Sequence, residues 1–195
     1  MKISEHVSYK EVTYSQTAIR NDINNEPNDE QLDRIIRISE NIFEPLREWV
    51  AGPIKINSCF RSAELNKRIG GAQSSQHCAN KGAAFDLDDT YGHKTNAEMF
   101  YHIKDNLDFD QLIWEFGTNE NPNWVHVSYK EDNNRGQELD GGPPLVAPDG
   151  TIQGGPKKKD DEEESVEEKV VFYKDDKDRL RRFDTDKSAN KKYRA

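Results

Sequence analysis

The chain has 195 residues, 33% of them hydrophobic and 33% charged, with net charge −9, two cysteines and a mean hydropathy of −1.04. That length fits one domain, or one domain plus appendages. No apolar stretch approaches the ~20 residues of a membrane span, and two cysteines are too few for a disulfide scaffold.

The charge is unevenly spread. Residues 157–195 carry 25 charged side chains in 39 positions, against 40 in the 156 before them, so a globular body with a polyampholyte tail is expected. An acidic body makes nucleic acid an unlikely partner, because phosphates call for a basic face. The opening MKISEHVSYKEV lacks the apolar core of a secretory signal.

Residues 1–27 read as an irregular lead-in ending at Pro27. Asn28 and Gln31 form a capping-box pattern. Beyond them Leu32, Ile35, Ile36, Ile42, Phe43, Leu46, Trp49 and Val50 recur at helical spacing. This predicts a long amphipathic helix over 29–50, bent near Pro45. Gly52-Pro53 ends it, and Ile54 and Ile56 alternate with polar neighbours as a short strand. Ser62 caps a second helix holding Leu65 and Ile69, closed by Gly70-Gly71. Residues 72–82 lack periodicity and read as loop, and Ala83 to Leu87 as a short strand. Thr95 caps a helix to about Asn106 that buries Met99, Phe100 and Ile103. The strongest strand patterns lie at 111–116 and 124–129. Short strands among helices, without a regular βαβ rhythm, predict an α+β domain with a mainly antiparallel sheet and flanking helices. It is expected over 1–140, followed by a Gly/Pro-rich linker over 141–156. The charged tail, 157–195, is expected to be disordered, with Val170 to Tyr173 its apolar stretch.

A catalytic zinc takes three protein ligands and keeps a fourth position open. Along an alternating strand Trp124, His126 and Ser128 share one face, while Val125 and Val127 share the other and seek the core. Asp86 falls at the end of a strand and His77 in a loop, so the two could meet His126 at one metal. Two histidines and an aspartate are common in a chain of this length, and spacing alone favours reading them as ordinary polar residues. Trp114 and Trp124 fit either a cleft wall or the core. His93 and His102 read as ordinary loop and helix residues, and Cys59 and Cys78 as reduced, partly buried thiols.

Ser75-Gln76-His77 followed by Gly82-Ala83-Ala84-Phe85-Asp86 resembles the S-x-H…G-x-A-x-D signature of the zinc D-Ala-D-Ala carboxypeptidase family. That family includes VanY-like enzymes and phage endolysins and shares its fold with the hedgehog signalling domain. Asn57 to Ser62, Leu65-Asn66 and Gly70-Gly71 are similar to the segment before the signature. Phe109 to Glu115 and Trp124 to Tyr129 are similar to the final strands, and the resemblance covers about residues 10–140.

The resemblance implies the hedgehog/DD-peptidase-like fold and Zn2+ held by His77, Asp86 and His126. Glu115 takes the general-base position, since a carboxylate must accept a proton from the attacking water and return it to the leaving amine. Arg61 matches the cation near the scissile bond, able to hold a substrate carboxylate or polarise the carbonyl, and Ser75 a substrate contact. The implied substrate is a peptidoglycan stem peptide, cut by carboxy- or endopeptidase action. The implied setting is synthesis in the cytoplasm, then action on the bacterial wall after release or as a virion component, with no membrane partner. The charged tail is the candidate contact for a virion or other protein partner.

The sequence departs from the pattern in three places. The His77–Asp86 spacing is longer than usual in the family, Cys59 stands for a glycine, and Asn123 stands where many relatives carry the catalytic carboxylate. The first and last of these motivate the alternative of an inactive wall-binding or virion structural module.

Overall fold

Polar caps organise the start of the chain, in a computed structural model that describes residues 1–141, 145–146, 152–153, 171–174 and 180–183. Where the sequence pattern predicts an irregular lead-in, two five-residue helices form, α1 (Tyr9–Thr13) and α2 (Gln16–Arg20). They are too short to show an apolar period. Ser8, in a reciprocal box with Glu11, and Ser15 supply the missing first-turn acceptors.

The Asn28–Gln31 box closes at 2.9 Å in both directions and starts α3 (Asp29–Ile38). A π-helical turn at Ser39–Phe43 joins it to α4 (Glu44–Val50). The predicted irregularity therefore falls just before Pro45. That proline has no N–H for the Asn41 carbonyl and its ring crowds it, and the wide turn relieves both problems. Helices α5 (Ala63–Arg68) and α6 (Asn96–Asn106) sit where the caps Ser62 and Thr95 place them.

Five strands form one sheet in the order β1-β2-β4-β3-β5. They are β1 (Lys55–Ser58), β2 (Ala83–Asp88), β3 (Gln111–Glu115), β4 (Trp124–Tyr129) and β5 (Gln137–Gly141). The first three pairings are antiparallel and β3–β5 is parallel. Strand β5 is absent from the sequence reading because Gln137–Gly141 offers a single large apolar residue, Leu139, and the ladder to β3 makes it a strand.

Phe85, Leu87, Leu112, Val125 and Val127 are fully buried on one face of the sheet. They join Ile35, Ile38, Ile42, Phe43 and Leu46 of the long helix, and Met99, Phe100 and Ile103 of α6, in one core. Trp114 packs edge-on to Phe100 at 5.3 Å, so it belongs to this face. Phe116 and Gly117 turn the chain between β3 and β4 with φ of 55° and 75°. A Cβ at Gly117 would lie 2.3 Å from the Asn121 carbonyl oxygen, so only glycine fits this turn, which sets Glu115 opposite Trp124.

The expectations of a linker and a disordered tail fall mostly outside the described residues. Within the tail, Val171–Lys174 and Leu180–Phe183 pair antiparallel. Among the described residues no helix is long and apolar enough to cross a membrane.

Candidate metal centre

The β2–β4 register sets Asp86 opposite His126, and the β3–β4 register sets Ile113 opposite His126. Strand alternation then puts Asp86, His126, Ser128 and Glu115 together on the face away from the core. His77 reaches them from a short 3-10 turn, Gln76–Cys78, closed by Ala79 in the left-handed region at φ 52°.

This turn takes up the long His77–Asp86 spacing. Helix α3 holds it in place. Gln31 Nε2 donates to the Cys78 carbonyl (3.0 Å) and to Asn80 Oδ1 (3.2 Å), and Arg34 donates to the Ala79 carbonyl (3.0 Å). The glycine of the G-x-A-x-D motif has a steric reason. A Cβ on Gly82 would lie 2.6 Å from the Tyr129 carbonyl oxygen, which would push the loop off β4.

His77, Asp86 and His126 are all buried. Their inward atoms form a tight triangle: His77 Nε2 to Asp86 Oδ1 is 3.2 Å, His77 Nε2 to His126 Nδ1 3.2 Å, and His126 Nδ1 to Asp86 Oδ1 2.9 Å. Ligand atoms set tetrahedrally at ~2.0–2.1 Å around one ion lie about 3.3 Å apart. Two nitrogens and a carboxylate oxygen at this spacing therefore fit zinc in both donor type and dimension.

Neighbouring groups fix the ligands' orientation. The Nδ1–H of His77 donates to the Cys59 carbonyl at 2.6 Å, leaving the Nε2 lone pair facing inward. The Arg61 guanidinium donates to the outer oxygen of Asp86 (2.8 Å) and to Ser58 Oγ (3.0 Å), so Oδ1 stays available. Burial lowers the pKa of His77, which keeps the ring neutral as a ligand must be. Burial alone would raise the Asp86 carboxyl, but His77 and His126 outweigh it and hold it well below the usual carboxylate range.

The triad opens on a cavity of about 830 Å³ that Arg61, Ser75, Glu115, Phe116 and Trp124 also line. Burial pushes the Glu115 carboxyl up, with Asp86 adding to the shift and His126 and Arg61 opposing it. A half-buried carboxylate poised in this way suits proton transfer.

A family model for peptidase M15 matches residues 5–128. The chain belongs to the peptidase M15 family. M15 enzymes are generally zinc-dependent, and the His–Asp–His group lies inside the matched region. No curated protein matches the chain.

The structure thus brings His77, Asp86, His126 and Arg61 into contact, with Glu115 and Ser75 on the same cavity. Asn123 is exposed, and its backbone N–H donates to the Glu115 carbonyl (3.0 Å). Of the two strand tryptophans, Trp124 lines the cleft and Trp114 joins the core side. Cys59 and Cys78 are free and buried; His93 is exposed; His102 stacks on Trp49 at 4.0 Å.

The sequence reading lacks the supports: the Cys59 carbonyl, the Ser58 hydroxyl, Gln31 and Arg34. It also lacks Asp110, a buried carboxylate between Lys130 and Arg135. Its one sequence signal is its place, the second acid of Asp108-Phe109-Asp110, immediately before an apolar strand.

Proposed function

We propose that this M15 peptidase hydrolyses amide bonds of peptidoglycan stem peptides, in the manner of the D-Ala-D-Ala carboxypeptidases and endolysins it resembles. The observation that carries the reading is the His77–Asp86–His126 triangle, buried at the wall of a cleft that also holds an uplifted carboxylate, Glu115.

His77, Asp86 and His126 hold the metal, which when bound makes water a stronger acid and polarises the scissile carbonyl. Glu115 accepts the proton of the attacking water and returns it to the leaving amine. Its raised pKa makes that return easier than for an exposed glutamate. Arg61 sits beside the triad with its guanidinium partly exposed, and it donates to the oxyanion that develops on the carbonyl. Ser75 lies on the cavity wall just before the His77 turn and contacts the peptide.

Elemental analysis of the purified full chain tests the metal directly. The expected result is about one zinc per chain, held by the three-ligand site His77–Asp86–His126, lost in His77→Ala, Asp86→Ala and His126→Ala. Peptidoglycan digestion by the loaded chain then tests the chemistry. Glu115→Gln should keep its zinc and lose roughly 10²–10⁴ in kcat. A folded wild type that takes up no zinc overturns the reading. A zinc-loaded wild type that releases no peptide favours the binding module, which the exposed amide Asn123 in place of a carboxylate motivates.

A further inference from the structure

Successive residues on the cleft face of β4 change character at every second position: Trp124, His126, Ser128, then Lys130 just past the strand. The cleft has the same polarity. Phe116 and Trp124, with ring centroids 5.0 Å apart, wall one end. Lys81, Lys130 and Arg135 gather at the other.

The cationic end is built on a buried carboxylate. Asp110 is 0% exposed and receives Lys130 Nζ at 2.6 Å, Arg135 NH2 at 2.6 Å and Arg135 Nε at 3.0 Å. One negative charge thus holds two cations whose outer parts stay open to the cavity, and Lys81 adds a third. Gln76 lies beside them: a Cβ on Gly82 would be 2.6 Å from Lys130 Cγ and 2.9 Å from Gln76 Nε2. That amide nitrogen finds no partner among the described residues. Within the cavity this end holds three cations to the one carboxylate of Asp110, while on their outer side Lys81 and Lys130 border a second hollow lined by Asp29, Glu30, Asp33, Glu131 and Asp132. Lys130 and Arg135 also lie beyond residue 128, where the family match ends.

The base fixes which part of a substrate meets this end. Glu115 pairs across the sheet with Trp124, one cleft-face position from His126 and on the side away from Lys130. The leaving amine must come to Glu115 for its proton, so the carboxyl-side fragment departs over Trp124 and Phe116. The amino-side fragment then runs over Ser128 toward Lys130. Four residues of strand separate His126 from Lys130, about 14 Å between their Cα positions. That span, shortened by the reach of a lysine side chain, corresponds to a group two or three residues upstream of the scissile carbonyl.

From this placement we infer that Lys130 and Arg135, with Lys81, form a subsite for a carboxylate on the amino-side part of the peptide, away from the bond that is cut. The subsite rests on the peptidase reading for its orientation. It selects an acidic stem peptide over its amidated counterpart, and selects it through binding.

The test compares two synthetic peptides, L-Ala-γ-D-Glu-L-Lys-D-Ala-D-Ala and its D-isoglutamine analogue, which replaces the upstream carboxylate with a carboxamide. For the zinc-loaded full chain, KM should be about tenfold lower for the acid with kcat nearly equal, as a charge-assisted hydrogen bond predicts. Lys130→Gln leaves Asp110 its Arg135 partner, and this variant and Lys81→Gln should each shrink the KM ratio. Equal KM values in the wild type, or an undiminished ratio in both variants, overturn the subsite. Calorimetry with the same two peptides reads it without turnover. If neither peptide is cut but the acid still binds about tenfold more tightly and Lys130→Gln abolishes the preference, the peptidase reading fails and the carboxylate subsite stands. Equal binding of the pair in that case overturns the subsite as well.

Discussion

The two faces of the central sheet come from the same strands and solve opposite problems. On one, Phe85, Leu87, Leu112, Val125 and Val127 are fully buried among hydrocarbon from the long helix and α6. On the other, Asp86, His126 and Ser128 are nearly as buried, yet none of their side-chain atoms joins the unpartnered polar atoms among the described residues. Phe85 and Asp86 are adjacent, so a one-residue slip of β2 would exchange the two environments and ruin both. The core face is governed by volume and tolerates a change of shape at graded cost. The cleft face is governed by pairing, where removing one partner strands another.

Two substitutions break this comparison most sharply. Phe85→Ala should cost about 3–5 kcal/mol, read by urea titration, while the folded fraction still binds zinc. A cost below about 1 kcal/mol would mean the sheet is not anchored on that face. Next comes Asn25→Ala. Buried Asn25 donates to the Thr13 and Phe60 carbonyls at 2.9 and 3.1 Å and accepts from the Ser62 N–H at 2.7 Å. It therefore ties the start of the chain to the Arg61 segment through pairing alone. Three backbone groups would lose their partner, for an expected loss of about 2–3 kcal/mol, and Asn25→Asp should not restore it because both donors are gone.

The same division explains what could be read in the sequence. Ile35 to Val50, Met99 to Ile103 and the two final strands carry a regular apolar period, and their helices and strands stand where that period puts them. Helices α1 and α2 and strand β5 carry none, being made by caps or by a neighbour's ladder, and they were not legible. His77, Asp86 and His126 became legible as a set only through the ordered motifs around them, because a metal triangle assembled from a loop and two strands has no period. Its supports left no trace at all. The Cys59 carbonyl is 18 residues from His77 in sequence, and Arg34 is 45 from Ala79. A backbone acceptor looks the same whatever its side chain.

Arg34 sharpens the comparison at a smaller scale, since its hydrogen bonds go to the Ala79 carbonyl and to Glu30 rather than to any of the three metal-binding side chains. It donates to the Ala79 carbonyl from α3, on the turn that carries His77. Arg34→Ala should weaken zinc binding about tenfold, measured by competition with a chelator, as the loss of an outer support does. Global stability should move by less than about 1 kcal/mol, because the side chain is partly exposed. Unchanged zinc affinity would show that the turn holds its shape without α3.

The smallest effect expected is an acid-side loss of stability from Asp110. Burial alone would raise this carboxyl, but the hydrogen bonds from Arg135 and Lys130 dominate and hold it at about 2. Its value in the unfolded chain is about 3.9. A carboxyl held below its unfolded value contributes its stability in full above that value, and loses it as pH falls through the folded one. The contribution should therefore be intact at neutral pH and disappear between roughly pH 4 and pH 2. The effect is modest because Lys130 and Arg135 are themselves 25% and 49% exposed, so water and salt screen the pairs. Asp110→Asn should be less stable at neutral pH and show a shallower decline across that window, followed by urea titrations at stepped pH. An unchanged slope would mean that the two cations are held by their own backbone, and that the buried carboxylate does not set the charge at that end of the cleft.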